Sequence, residues 1–598
     1  MMKNPAKPYS DVKRGASARK PQHARTTIAR LFRTMLHQRR LFFLALLITL
    51  TGNLLGLLGP ALAGEAIDAI GADGVVDWAV VGRKCALMLV CYAASAALSY
   101  CLSLLMIRIS RGVVYRMREM AFDRLMRLPV SFFDKNPSGD IISCISYDID
   151  TVNESLSNDI VQILSTVVTV FGSLGFMIAI SPRLLLVFCV TVPLSLYAAR
   201  RRATVTKPLF RARSRKLGEL NGFVEEQLSG LTTLRAYCRE KKTIDKFDDI
   251  NEEAVTAYYK SEYEGSVIGP LVNFINNLSL ALVSVFGALL FVSGQMTIGN
   301  ISSFILYSRR FSGPINEAAN VFAELQSALA AAERVFALID EPAEPEDAPD
   351  AAVLQNVKGN VSLSHVSFGY EEGKPILKDF SVDAQSGRLI AVVGPTGAGK
   401  TTLISLLMRF YEAQSGEIRV DGKDVHDLTR DSLRAAYAMV LQETWLFHGT
   451  VYDNLRYANP DATREQVIAA AKAARADGFI RRLPQGYDTV LTDDGANISK
   501  GQKQLLTIAR AMLLPSRMVI LDEATSNVDT RVEKLIQRAM RELMAGKTCF
   551  VIAHRLSTIE SADEILVVHH GEIIERGTHA QLMSAKGFYY GMYRAQFE

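Results

Sequence analysis

The sequence predicts a multidomain chain in which a six-helix α-helical transmembrane domain is fused to an α/β P-loop nucleotide-binding domain. Three observations carry that expectation. Six apolar segments precede residue 340, short Val/Ile runs alternate with amphipathic helices after it, and Gly394-Pro-Thr-Gly-Ala-Gly-Lys400-Thr401 fits the phosphate-loop pattern G-x4-G-K-[ST]. A chain of 598 residues is too long for one core, since single cores rarely exceed ~250–300 residues. The expected division is a basic tail over 1–25, a transmembrane domain over 26–340, a linker over 341–355 and the nucleotide-binding domain over 356–598.

Residues 1–40 hold eleven Lys/Arg. The tail is too long for a signal-peptide n-region, and the apolar stretch after it too long for an h-region. Within it, Ile28–Leu36 has amphipathic spacing and is expected on the inner membrane surface. The spans are read at 41–70, 84–107, 155–180, 184–200, 265–293 and 298–322. Most reach the ~20 residues a spanning helix needs, whereas the fourth is short and carries Pro193. Ser181-Pro182-Arg183 and Ser293–Ile298 are short, nearly uncharged links. The links between spans two and three and spans four and five are long, helical in pattern and basic, as in Arg200-Arg-Arg202 and Arg211–Lys216. The positive-inside bias therefore places both termini and both long links in the cytoplasm. Their helices should project past the bilayer, the polar pattern continuing from each span without a Gly/Pro break, and Trp78 marks the outer end of span two. Turns at Phe132–Asp140 and Ser229–Arg235 read either as plain hairpin tips or as points where force enters the membrane unit.

Lys and Arg outnumber Asp and Glu by 38 to 29 through residue 343 and trail by 29 to 33 after it. The basic half is also the apolar half, which fits membrane lipid as a partner. No basic cluster interleaves with aromatics, so nucleic acid is not expected. The seven cysteines are scattered, with no C-x-x-C pair and no disulfide framework.

Glu341–Asp350 is acidic and Pro-rich and reads as the linker. Arg388–Val393 reads as a buried strand feeding the glycine-rich turn, and Thr402–Met408 as the first turns of the helix after it. Such a turn wraps backbone N–H groups around phosphates at a helix N-terminus, with Lys400 reaching the outer phosphates and the Thr401 hydroxyl placed for Mg²⁺. Met518-Val-Ile-Leu-Asp522-Glu523 is a second strand ending in two carboxylates. Asp522 is placed to hold Mg²⁺ through water, and Glu523 to orient an attacking water.

Ile498-Ser-Lys-Gly-Gln502, followed by Lys503-Gln-Leu-Leu-Thr-Ile-Ala-Arg-Ala511, resembles the signature motif of ATP-binding cassette (ABC) proteins. With six spans ahead of one cassette, the chain is similar to a half-transporter of the ABC exporter family with the type IV membrane fold, from about residue 26 to the C-terminus. The resemblance implies ATP and Mg²⁺ as cofactors, with the nucleotide held by Gly394, Pro395, Thr396, Gly397, Ala398, Gly399, Lys400, Thr401 and Thr402. It also implies that Tyr370 stacks on adenine, that Gln442 senses γ-phosphate and metal, and that His554 contacts the γ-phosphate. Asp529 would cross a dimer seam, while Ser499, Gly501 and Gln502 would close over the nucleotide of the opposite subunit. On the same ground, the turns at 132–140 and 229–235 would be coupling helices.

A dimer is therefore required. Lys500 stands where the family has the first glycine of L-S-G-G-Q, Thr492–Asn497 replaces its G-E-R-G-type run, and Ser526-Asn-Val-Asp529 replaces Ser-Ala-Leu-Asp. Intact Glu523 and His554 beside an altered signature resemble one subunit of heterodimeric exporters, so a second, different half-transporter is the favoured partner and a homodimer the alternative. In span six, Arg309 and Arg310, with Asn273, Asn276 and Asn277 of span five, are candidates for a substrate cavity. A purely structural role, such as an Arg309 or Arg310 pair with Glu317, stands beside that reading. The expected function is ATP-driven export of a small amphipathic molecule, lipid or peptide, against the alternatives of an ATP-gated channel or an importer with exporter-like fold. A multi-pass place in a bacterial inner membrane is expected.

Overall fold

Long apolar runs propagate as helix in hydrocarbon because only the helix satisfies every backbone N–H and C=O within one segment. The computed structural model describes residues 24–70, 76–371, 373–492, 495, 497–522, 529–552 and 559–597, without the side chains of 37, 315–320, 596 and 597. Contacts divide the chain into two units: one of Met1–Arg127 with Asn136–Glu341, the other of Leu128–Lys135 with Pro342–Glu598.

In the first unit, α1 (Ala24–Met35), α2 (Arg39–Asp68) and α3 (Trp78–Met126) are followed, past α4 (Val130–Lys135), by α5 (Ser138–Ser143) and α6 (Ile149–Ile180). After them come α7 (Pro182–Ser229), α8 (Leu231–Ala236), α9 (Glu240–Ser266), α10 (Ile268–Val292) and α11 (Ile298–Asp340). Five stretches among the described residues are long and apolar enough to cross a membrane: Arg39–Asp68, Trp78–Met126, Ser138–Ile180, Pro182–Ser229 and Glu240–Val292. The sixth expected span lies in α11, where Arg309 and Arg310 interrupt the apolar run.

Two expectations change here. The short fourth span is the start of one 48-residue helix that carries both Pro193 and Pro208. The polar continuation thus does contain a proline, and α7 passes through it; each proline removes one N–H from the ladder, which bends a long helix more readily than it ends one. The amphipathic N-terminal helix also differs. α1 buries Thr27, Leu31 and Met35 on one stripe, and Arg30 pairs with Asp340 and lies 4.2 Å over the Phe336 ring of α11. That stripe is closed by protein, and Phe32 and Leu36 are left to face outward.

The contact between α2 and α11 explains how an arginine is accommodated in span six. Pro60 has no N–H, so the Gly56 carbonyl one turn earlier lacks its helical donor. Arg310 supplies one, its Nη1 lying 2.8 Å from that oxygen. On the same stripe, the Tyr307 hydroxyl donates to the Leu57 carbonyl at 2.6 Å and Ser303 to the Pro60 carbonyl at 2.8 Å. Gly64 and Gly299 let the two backbones touch, and Asp68 caps α11 by accepting from the Gly299 N–H at 2.7 Å. Farther along α11, Arg334 makes a two-pronged bond at 2.8 and 2.5 Å to Asp148, which a π turn at Cys144–Asp148 places there. Replacing Arg310 by Leu should leave the Gly56 carbonyl unpaired in apolar surroundings, destabilising the protein by about 1–3 kcal/mol, while Arg309→Leu should be nearly neutral. Thermal unfolding in nanodiscs separates the two. An unchanged melting point for Arg310→Leu with reduced transport would instead make Arg310 a cargo ligand.

The second unit is built on a six-stranded sheet in the order β12-β11-β3-β10-β9-β6. Its strands are β3 (Leu389–Val393), β6 (Tyr437–Val440), β9 (Met518–Asp522), β10 (Thr548–Ile552), β11 (Glu564–His569) and β12 (Glu572–Gly577). All neighbours pair in parallel except β11 with β12. Alternate residues feed two cores: Ala391, Val393, Val519, Leu521 and Val551 pack on one face, Ile390, Val392, Ile520, Phe550 and Ile552 on the other. Burial on both faces is why these strands read as unbroken apolar runs. A smaller antiparallel sheet, in the order β2-β1-β4-β5, is formed by β1 (Val361–Phe368), β2 (Leu377–Ala384), β4 (Ser415–Val420) and β5 (Lys423–Asp424), and joins the second core through β1 and β2.

The acidic stretch read as a linker is gripped by arginines of this unit. Arg430 donates to Asp347 at 2.7 Å and to the Pro345 carbonyl at 2.9 Å, and Arg434 reaches both Glu344 oxygens at 2.5 and 3.1 Å. Arg430 is nearly fully buried. A buried guanidinium needs such partners, so the Pro-rich composition marks the boundary without implying a loose tether.

Candidate nucleotide-binding site

Parallel pairing brings the C-terminal ends of β3, β6 and β9 to one rim, where α/β sheets bind their ligands. From that rim leave the glycine-rich loop after Val393, Gln442 two residues after Val440, and Asp522 at the tip of β9. Gly394 has φ +154°, and a Cβ there would run into the Val568 carbonyl oxygen of β11. Gly399 has φ +101° and caps α12 (Lys400–Leu407), and a Cβ would come within 2.8 Å of Leu377. These two positions need glycine so that the loop can turn its N–H groups inward.

Lys400 is buried, and its ammonium donates to the carbonyls of Gly394 at 2.7 Å and Pro395 at 3.0 Å. Burial lowers its pKa, and the Asp522 carboxylate works in the opposite direction. An ammonium held at a glycine-rich loop that opens a helix suits a polyphosphate. Thr401 is exposed and Asp522 partly so. Both are oxygen donors, which fits Mg²⁺. Among the described residues, no group of three His, Cys, Asp or Glu is placed to hold a metal ion.

Tyr370 is half exposed, and its hydroxyl lies 3.2 Å from the buried Thr402 hydroxyl. Its ring meets Phe368 and Tyr411 edge-on at 5.1 and 5.0 Å, which fixes the ring plane. Burial, then the Asp134 carboxylate that its hydroxyl bonds, raises the pKa of Tyr411. The exposed Gln442 begins a loop that runs to Phe447. Arg510 pins that loop, donating to the Trp445 and Asn454 carbonyls at 3.0 and 2.9 Å and to Asn454 Oδ1 at 3.0 Å. Asn454 in turn bonds both backbone groups of Phe447, at 2.9 and 2.8 Å.

Ser499 is the N-cap of α17 (Lys500–Met512). Its hydroxyl oxygen accepts from the Gln502 N–H at 3.3 Å, and Gln502 Oε1 accepts from the Ser499 N–H at 2.9 Å. This capping box commits the Gln502 side chain to its own helix and leaves the hydroxyl proton of Ser499 for an acceptor beyond it. Gly501 is buried, and Lys500 is exposed at the first helical position, where a cation opposes the helix dipole. Asp529 caps α18 (Thr530–Met544) through the Arg531 N–H at 3.0 Å. Glu523 and His554 lie outside the described residues, as do Ser526-Asn-Val528 and part of the run 492–497.

The structure thus gathers the phosphate loop, Asp522 and Gln442 on one rim, and sets Tyr370 against Thr402. It keeps Gln502 in a cap. Among the candidate cavity residues, Arg310 is bound to α2, Arg309, Asn273 and Asn277 are exposed, and Asn276 is half-buried. The Glu317 side chain lies outside the described part. Sequence reasoning missed Asn454 and Tyr411, which carry no motif of their own, and assigned no role to Arg510 within the quoted run Lys503–Ala511. The proline at Pro60 was the available signal for Arg310, since it frees a carbonyl one turn back.

Residues 42–315 match the ABC transporter transmembrane region, and residues 377–526 match the ABC transporter family. The chain is 41% identical over 605 residues, covering 100% of both proteins, to the uncharacterized ABC transporter ATP-binding protein YfiC of Bacillus subtilis. It is 40% identical over 608 residues to a fatty acid ABC transporter ATP-binding/permease protein of Mycobacterium bovis, covering 95% of this chain and 96% of the relative. A bacterial Atm1-family ABC exporter with ATP bound has a similar structure, with TM-score 0.76 and 29% identity over 94% of this chain and 98% of that one.

Proposed function

Because the chain belongs to the ABC transporter family, joining its transmembrane region to its ATP-hydrolysing cassette, we propose that it is one half of a dimer that exports a small amphipathic molecule, lipid or peptide by alternating access. Hydrolysis of ATP is coupled to transport across a membrane. The observation that carries the finer reading is the single rim holding the phosphate loop, Asp522 and Gln442. Lys400 and the loop N–H groups would spread the charge of the γ-phosphoryl group, Glu523 would orient the attacking water, and His554 would contact the γ-phosphate. Mg²⁺, held by Thr401 and, through water, by Asp522, with Gln442 as a sensing ligand, would neutralise phosphate charge. Tyr370 would stack on the adenine. The free proton of the Ser499 hydroxyl and the N-terminus of α17 would meet the γ-phosphate of the opposite subunit, and Asp529 would lie at the seam between cassettes.

Lys500 favours a heterodimer, since a cation at the first position of α17 weakens a helix terminus that would otherwise attract phosphate. The partner would supply an unaltered signature. A bacterial inner membrane with cytoplasmic cassettes is the proposed location. Cargo of anionic or amphipathic character is supported by the exposed Arg309 and by the fatty acid transporter among the relatives.

ATPase activity of the purified chain alone in nanodiscs, beside Glu523→Gln, tests both parts. A heterodimer half should bind ATP and turn it over only when its partner is added, with Glu523→Gln silencing the pair. Robust Glu523-dependent turnover by the lone chain would establish a homodimer, and turnover indifferent to Glu523 would overturn the catalytic assignment.

A further inference from the structure

The aromatic platform at Tyr370 continues beyond the nucleotide site. Phe368, Tyr370 and Tyr411 form a closed trio with centroids 5.0 to 5.4 Å apart and every pair edge-to-face. Tyr411 stands just beyond the end of α12, and its phenol donates to the carboxylate of Asp134 on α4. α4 follows α3 directly in the chain but clusters with the cassette unit, and Leu128 and Phe132, one turn apart, are buried there. The same loop holds the other covalent route to the membrane half. Glu412 pairs with Arg409 at 3.0 Å and with Arg430 at 2.7 Å, and Arg430 in turn pairs with Asp347 at 2.7 Å.

We propose that Tyr411 is a positioning residue that reports base occupancy at Tyr370 to Asp134, so that α4 is held more firmly when a base is stacked than when only phosphates are bound. A base on the open face of Tyr370 fixes that ring, and the edge contact fixes Tyr411 in turn. The Tyr411 hydroxyl then keeps its directional, charge-assisted bond to Asp134. The proposal rests on reading Tyr370 as the adenine platform. The competing account is that Tyr411 merely cements α4, whatever the nucleotide.

Amide hydrogen exchange across residues 130–135, in the full chain in nanodiscs with Mg²⁺, separates these accounts. Adenylyl imidodiphosphate is compared with inorganic triphosphate, which fills the phosphate loop without a base, each at occupancy matched by equilibrium dialysis. In the wild type the adenine nucleotide should slow exchange about tenfold more than triphosphate, the size expected for one charge-assisted hydrogen bond. In Tyr411→Phe, which keeps the ring, the two ligands should protect equally, and Asp134→Ala should behave the same from the other end. Base-dependent protection that survives in Tyr411→Phe overturns the relay. So does its absence in the wild type while Tyr370→Ala still weakens nucleotide binding. Unchanged binding in Tyr370→Ala would instead overturn the adenine assignment, and the relay with it.

Discussion

Lys400→Met is expected to lower ATP turnover by about 10²- to 10³-fold, the usual loss when one pre-placed charge donor is removed from a transition state. The fold should survive. Lys400 is buried, yet among the described residues its ammonium is anchored by two carbonyls of its own loop, and the Met side chain has a similar length without the cost of desolvating a charge. Burial already lowers the pKa of Lys400, so removing the charge relieves a desolvation penalty while taking away the partner of the phosphates. The check is a pair of measurements on the reconstituted transporter: the melting temperature should hold or rise, and hydrolysis should collapse. Loss of both together would mean that Lys400 is chiefly a structural residue.

Gly394→Ala should be among the most damaging single-methyl substitutions in the phosphate loop. At φ +154° the backbone is closed to an L side chain, and the new methyl would meet the Val568 carbonyl at the end of β11. Either β11 shifts from its parallel pairing with β3 or the loop swings outward. A destabilisation of about 2–4 kcal/mol is expected, with ATP affinity falling at least tenfold because the N–H groups no longer converge. Gly397→Ala is the matched control. It also has positive φ, +84°, but open space around the would-be Cβ, so it should carry only the backbone strain of about 1–2 kcal/mol. Thermal unfolding with nucleotide titration distinguishes them, and equal effects at the two glycines would rule out the clash as the cause.

Much of the architecture was legible because it follows from period and composition. The G-x4-G-K-[ST] loop lies between a strand and a helix as its local pattern implies, and five of the six apolar runs fall in helices long and apolar enough to span. The exceptions are equally physical. The continuity of α7 could not be read, because Pro193 and Pro208 weaken a helix locally while packing along the rest of its 48 residues maintains it. The closure of the α1 stripe by protein was also hidden, since amphipathic spacing says that a face is covered and leaves open what covers it.

By itself, the sequence determined the order of the two halves, the phosphate-loop pattern and its lysine, Asp522 at a strand end, and the substitution at Lys500. These are properties of contiguous residues, whose chemistry depends on neighbours a few positions away. Only the tertiary structure decided which distant groups meet. It put the loop, Asp522 and Gln442 on one rim through parallel strand order. It assigned Arg310 to a carbonyl that Pro60 leaves bare, 254 positions away, and placed Tyr411 between Tyr370 and Asp134. A buried donor or acceptor must find a partner wherever the fold brings one, and that pairing is written in no local pattern.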